Sequence, residues 1–187
     1  MCVGLRCADG ERTGRQIWDS GGRSVPRFHR RVLSFGPVGD QPGLCFEDLQ
    51  VGQEFRSPGR TVTETDIVMF AGLSGDYNVI HTDAELMRSS LFGERIAHGL
   101  LVLSIQQGLV ERAIGDRARE RCVGIKWKFR SPVKIGDTVH VRARVTAADD
   151  SDEPGWGLLT LEREVVNQHG EVVQSGETQH LVGRRGK

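Results

Sequence analysis

The chain has 187 residues, and its 25 Lys and Arg balance 25 Asp and Glu, a formal charge of zero. That balance argues against a protein built mainly to grip nucleic acid or an anionic membrane, and the length suits one domain with a tail. The apolar runs are only a few residues long, too short to span a bilayer, and the N-terminus has no continuous apolar stretch of the signal-peptide kind. Among four cysteines, Cys2 and Cys7 form one C-x4-C pair, with no second pair or His cluster to complete a zinc site. Reduced thiols and a cytoplasmic location are expected, with no metal.

Residues 1–43 hold seven Arg, no Lys and four acids, a formal +3 that leaves −3 for the rest. This stretch is rich in Gly and Ser without a sustained period, which predicts a flexible extension ahead of a domain over 44–187. Arg27, His29, Arg30 and Arg31 are its groups suited to a phosphate or an acidic partner. The domain opens with a turn at Val51–Gly52 and a strand over 54–62. Thr63 precedes Asp66 by three residues, and Thr82 precedes Glu85 likewise. Each pair reads as a capping box, predicting helices over 64–73 and 83–90 with "SGDYNVIH" as a loop between them. From Gly99 to Val110 the chain is uncharged and apolar nearly all round, the pattern of a buried helix. Gly115 offers its stop.

The period then changes to two. Ile125, Trp127 and Phe129 alternate with Lys126, Lys128 and Arg130, and Val139 to Val145 alternate with polar residues. Leu159, Leu161 and Val165 mark a third strand, and a turn at His169–Gly170 leads to a fourth over 171–182. A four-strand antiparallel meander needs its apolar face covered, and the long apolar helix is the element able to do it. The expected class is α+β, an antiparallel sheet wrapped around a central helix.

Two features carry chemistry. Asp76 and His81 stand five apart on a loop of small and polar residues, where an acid and an imidazole can hold one water between them. Asn78 lies between them and can orient a neighbour. The same residues also suit an Asx turn and an ordinary loop histidine. Downstream, His98 and Gly99 open the buried helix. Helix N-termini expose amides, and glycine lets a ligand oxygen approach them, the physics of an oxyanion hole. Close helix–sheet packing explains that glycine equally well.

The string "FAGLSGDYNVIHTDAELMRSSLFGERIAHGLL" resembles the hydratase signature of the MaoC-like dehydratases, the (R)-specific enoyl-CoA hydratases. The flanks "FEDLQVGQEF", "RTVTETDIVMFA", "FRSPVKIGDTVHV" and "VVNQHGEVVQSGE" extend the likeness over about 44–182. The resemblance implies a hot-dog fold, a homodimer and an acyl thioester substrate on coenzyme A or acyl carrier protein. It puts the catalytic aspartate on Asp76, the histidine on His81, the motif asparagine on Asn78 and the carbonyl-polarising glycine on Gly99. Val79 stands where the family usually has proline, which loosens the backbone before the histidine but removes no reactive group. The family's serine deeper in the central helix has Ser104 and Gln107 as nearby candidates. Asn78, His98 and Ser104 are taken as substrate-binding.

The implied reaction is reversible hydration of a trans-2-enoyl thioester to an (R)-3-hydroxyacyl thioester, without metal or redox cofactor. The alternative is a dehydratase for a branched, dicarboxylic or carrier-bound 3-hydroxyacyl thioester, with Met69, Leu73, Met87 and Leu91 as acyl-pocket or core residues. A hot-dog thioesterase is disfavoured because residues 100–110 contain no carboxylate. A silent binding module is disfavoured by the intact Asp76–His81 pair, and nucleic-acid binding by the lack of aromatic residues interleaved with the N-terminal arginines.

Overall fold

A computed structural model describes residues 43–115 and 119–186. The extension expected over 1–43 lies outside them, save Gly43. After a short 3-10 turn at Phe46–Asp48 come β1 (Glu54–Arg56), β2 (Arg60–Thr61), α1 (Glu64–Ser74), α2 (Val79–Thr82) and α3 (Ala84–Arg88). Then follow α4 (Gly99–Ile114), β3 (Glu120–Phe129), β4 (Thr138–Asp150), β5 (Trp156–Val166) and β6 (Val172–Gly183). No helix among the described residues is long and apolar enough to cross a membrane.

The start of α1 follows its sequence signal. The Asp66 N–H donates to Thr63 Oγ1 (3.3 Å) and the Thr63 N–H donates to Asp66 Oδ2 (2.8 Å), a reciprocal capping box. The second expected box does not form. Asp83 caps α3 instead, its Oδ1 accepting from the Leu86 N–H at 2.9 Å. A carboxylate sits closer to the exposed amides, and the Thr82 hydroxyl donates to the carbonyls of Tyr77 and Asn78. The helix therefore spans 84–88 rather than 83–90. The strand expected over 54–62 is also broken, because Pro58 has no N–H to give a ladder. At the break the Val141 N–H donates to Ser57 Oγ (2.9 Å).

All strand pairs are antiparallel, in the order β1-β4-β5-β6-β3, with β2 on another part of β4. The four-strand meander is thus corrected. β4, β5 and β6 run as a meander, but β3 pairs with β6, setting Trp127 opposite Gly176 and Phe129 opposite Gln174. The β3–β4 connection does not close a hairpin because it bonds elsewhere: the Ala97 N–H donates to Val133 O, and Ile96 bridges Lys134. The consequence is that β3 forms a sheet edge among the described residues, and Ile125 and Phe129 are more than half exposed.

The sheet packs on α4. Leu101, Val102, Ile105, Leu109 and Val110 meet Val139, Val141, Leu159, Leu161 and Val173 in one core. Each such side chain contributes about 1.5–3 kcal/mol by leaving water. The opposite flank, with Leu100, Ser104 and Gly108, is exposed. The helix expected to be buried all round is buried on one side.

Candidate active site

The site grows from the end of α1. Gly75 takes a left-handed conformation (φ 76°) that closes the helix and reverses the chain into Asp76. Asp76 Oδ1 accepts from the Asn78 N–H at 3.2 Å, an Asx turn. Asn78 Oδ1 in turn accepts from the Ile80 N–H at 3.2 Å and starts α2. The stretch expected as a loop therefore contains one helical turn, and His81 is carried on it.

His81 is only 6% exposed. Its Nδ1 lies 2.8 Å from the Ile96 carbonyl oxygen. A carbonyl only accepts, so Nδ1 carries a proton, and in the neutral imidazole Nε2 carries the lone pair. That lone pair is 4.0 Å from Asp76 Oδ2. The gap is too long for a direct hydrogen bond and suits one water that donates to both groups. The two Asp76 oxygens are placed differently. One oxygen builds the turn, and the other faces the imidazole, with the side chain 53% exposed.

The Ile96 carbonyl is itself anchored. Arg95 donates twice to Glu64 at the start of α1 (2.8 and 2.6 Å). These bonds hold the Glu64 carboxyl below its ordinary pKa and push that of Arg95 up.

His98, expected to bind substrate, lies behind the pair. It is 2% exposed, its Nε2 donates to the Asp76 backbone carbonyl (2.9 Å), and its ring stacks on His81 with centroids 3.8 Å apart. Its part is to fix the Asp76 turn and back the His81 ring. Asn78 is likewise occupied with capping. Asp76, His81 and His98 offer donor atoms within 4.8 Å of one another.

Gly99 opens α4, where first-turn amides have no partner within the helix. It shares a cavity of about 430 Å³ with His81, Ile96, Val102, Phe129 and Gln174. A Cβ on Gly99 would lie 2.9 Å from two Phe129 ring carbons, so the close-packing explanation of this glycine holds. Gly99 thus packs closely on the sheet and lines the cavity at the same time. Ser104 is not part of it. Its hydroxyl donates to Leu100 O (2.9 Å), and it lines a separate groove between α1 and α4 with Met69 and Leu73. Met87 is core and Leu91 is almost wholly exposed, so the four proposed pocket residues do not share one pocket.

Two site neighbours were passed over in the sequence. Gln174 is 2% exposed and points inward from β6. A polar residue on an inward strand position was the available signal. Phe129 was read only as one of an alternating series.

A sheet curved around one helix, with an acid and an imidazole facing each other at the helix N-terminus, defines a hot-dog protein with a polar site. A Mycobacterium tuberculosis protein described as having a double hotdog fold aligns with a TM-score of 0.66 at 21% identity, over 77% of this chain and 45% of that one. The family description "MaoC like domain" matches residues 48–166, and the chain belongs to that family. Protein MaoC of Klebsiella aerogenes is 44% identical over 59% of this chain, which spans only 35% of that longer protein. An (R)-specific enoyl-CoA hydratase of Rhodospirillum rubrum is 35% identical over 75% of this chain and 93% of its own. The crystal structure of a MaoC-like dehydratase from Rhodospirillum rubrum aligns with a TM-score of 0.71 at 33% identity, over 78% of this chain and all of that one.

Proposed function

We propose that this chain is a hydro-lyase that reversibly hydrates trans-2-enoyl thioesters, on coenzyme A or a carrier protein, to (R)-3-hydroxyacyl thioesters. The observation that carries the reading is the 4.0 Å gap between His81 Nε2 and Asp76 Oδ2, with the imidazole tautomer set by Ile96. Relatives named (R)-specific enoyl-CoA hydratase, 3-hydroxybutyryl-CoA dehydratase and 3-hydroxyacyl-thioester dehydratase support the reaction class.

In the proposed step the thioester carbonyl makes C3 electrophilic. A water held by Asp76 and His81 attacks C3 and gives up a proton to the pair. The π electrons move to the thioester oxygen, where the Gly99 N–H stabilises the developing charge. A proton from the pair then returns to C2 as the carbonyl re-forms. One added water accounts for all atoms, and the reverse sequence is dehydration. The residues supply acid, base and an amide donor, which the reaction needs in place of a metal or redox cofactor.

The exposed apolar face of the β3 edge supports a homodimer formed along that strand. The function is tested by following loss of the enoyl absorbance of crotonyl-CoA and the chirality of the product. Hydration to the (R)-alcohol by wild type, with Asp76→Ala nearly inactive, is expected. Release of free thiol without hydration would overturn the reading in favour of a thioesterase.

A further inference from the structure

Gln174 is a buried carboxamide on β6, set in register between Phe129 and Val165, and both of its ends are engaged. The Trp127 Nε1–H donates to Gln174 Oε1 at 2.9 Å, and Gln174 Nε2 donates to the Gly99 carbonyl at 3.0 Å. An indole nitrogen can only donate and a carbonyl can only accept, so the amide has one orientation. Trp127 is seated in its turn by Gly176, where an added Cβ would collide with the indole Cε3. Phe129, opposite Gln174 in register, closes on Gly99 from the same side. β6 and the β3 edge thus hold the first residue of α4 together, one by a polar arm and the other by a ring.

We infer that Gln174, oriented by Trp127, is a positioning residue that sets the Gly99 amide against the thioester oxygen. The inference rests on the hydration chemistry proposed above. An oxyanion donor works only within about 2.7–3.1 Å of the charge it meets, so the aim of the first turn of α4 governs the rate. The ends of a helix fray, and α4 has no side-chain cap at His98. The Gln174 arm ties down the first peptide carbonyl of the helix from the strand that also lines the cavity.

Three variants test this with crotonyl-CoA. Gln174→Met keeps the side-chain volume and removes both bonds. It is expected to lower kcat about 10- to 100-fold with KM within about 3-fold of wild type, the size of effect that misplacing a catalytic group has. Gln174→Glu accepts from Trp127 but turns a second oxygen towards the Gly99 carbonyl. It is expected to be slow at neutral pH and to regain kcat as the carboxyl protonates, because a neutral acid donates where the amide did. Trp127→Phe keeps an aromatic ring, adds no charge and removes the pyrrole half of the indole with its N–H. A kcat about 3- to 10-fold down is expected, together with a moved Gly99 amide resonance in the NMR spectrum. Should Gln174→Met fail to fold, Trp127→Phe decides. Wild-type kcat and an unmoved Gly99 resonance in Trp127→Phe overturn the positioning role. A wild type that hydrates no enoyl thioester overturns the proposed function instead, and the resonance still reports the structural link.

Discussion

Two polar clusters lie against α4, and they are built in opposite ways. At its N-terminus, Asp76 and His81 come from a turn and a four-residue helix and leave a 4.0 Å gap between them; His81 lines an open cavity and the Asp76 side chain is half exposed beside it. Midway along, Arg163 of β5 is wholly buried. Its guanidinium donates to Gln107 (2.6 Å) and to His180 Nε2 (2.8 Å), Gln107 donates to Glu111 (2.7 Å), and His180 Nδ1 faces Glu120. Guanidinium only donates, so His180 is neutral with its proton on Nδ1, linking an arginine to a carboxylate. The second cluster turns its donors and acceptors mainly on one another. The first keeps a lone pair and a carboxylate oxygen unspent where a small molecule can reach them. Polar residues near a core mark chemistry when an acid and a base face a gap beside a cavity, and structure when they bond mainly to one another out of reach of one.

The sharpest separation comes from removing one member of each. Asp76→Ala and His81→Ala should each lower kcat for enoyl hydration about 10²- to 10⁴-fold, the usual worth of a positioned acid or base, with little change in the urea midpoint for the exposed Asp76 and a moderate fall for the buried His81. Arg163→Ala should do the reverse. Leaving its partners buried without the cation should cost about 3–5 kcal/mol in urea unfolding, while the folded fraction loses far less activity than Asp76→Ala. A large catalytic loss at unchanged stability in Arg163→Ala would break the distinction.

Gly99→Ala lies between these two. Its methyl group would press on the Phe129 ring at 2.9 Å, so a core displacement of about 1–3 kcal/mol is expected together with a fall in kcat. Steady-state kinetics beside thermal unfolding checks both. Smaller still is the Glu64–Arg95 pair that anchors the Ile96 segment. The Glu64 pKa is lower folded than unfolded, so the pair's contribution is complete above the unfolded value of about 4.3 and is lost as pH falls through the folded one. Glu64→Gln should cost about 0.5 kcal/mol at neutral pH, given its exposure to solvent, and the difference from wild type should vanish in acid titration of the unfolding midpoint. Ser104→Ala should change kcat less than about 2-fold, since its hydroxyl only returns to the Leu100 carbonyl.

The same contrast explains what was legible in the sequence. Local rules carried far. The Thr63–Asp66 box, the α4 stretch and the alternation of β4 to β6 are short-range signals, and the structure follows them. Asp76, His81 and Gly99 were singled out on their residue types, and the fold brings His81 to Asp76 and to the Gly99 cavity. Choices among competing partners were not legible. Asp83 displaced Thr82 as a cap, and β3 chose β6 over β4, because each depends on which acceptor lies closer in space. His98 and Ser104 looked alike as polar residues near the helix start. Only the turn of the helix sends one behind His81 and the other to an outer groove. The Arg163 network is drawn from α4, β3, β5 and β6, a pattern no sequence window contains.

The central claim is that Asp76 and His81 hold one water jointly. A double-mutant cycle on kcat for crotonyl-CoA hydration measures this most directly. With one shared water, Asp76→Ala combined with His81→Ala should lose hardly more than the more damaging single change. Losses that multiply would contradict a shared water and assign the two residues to separate steps.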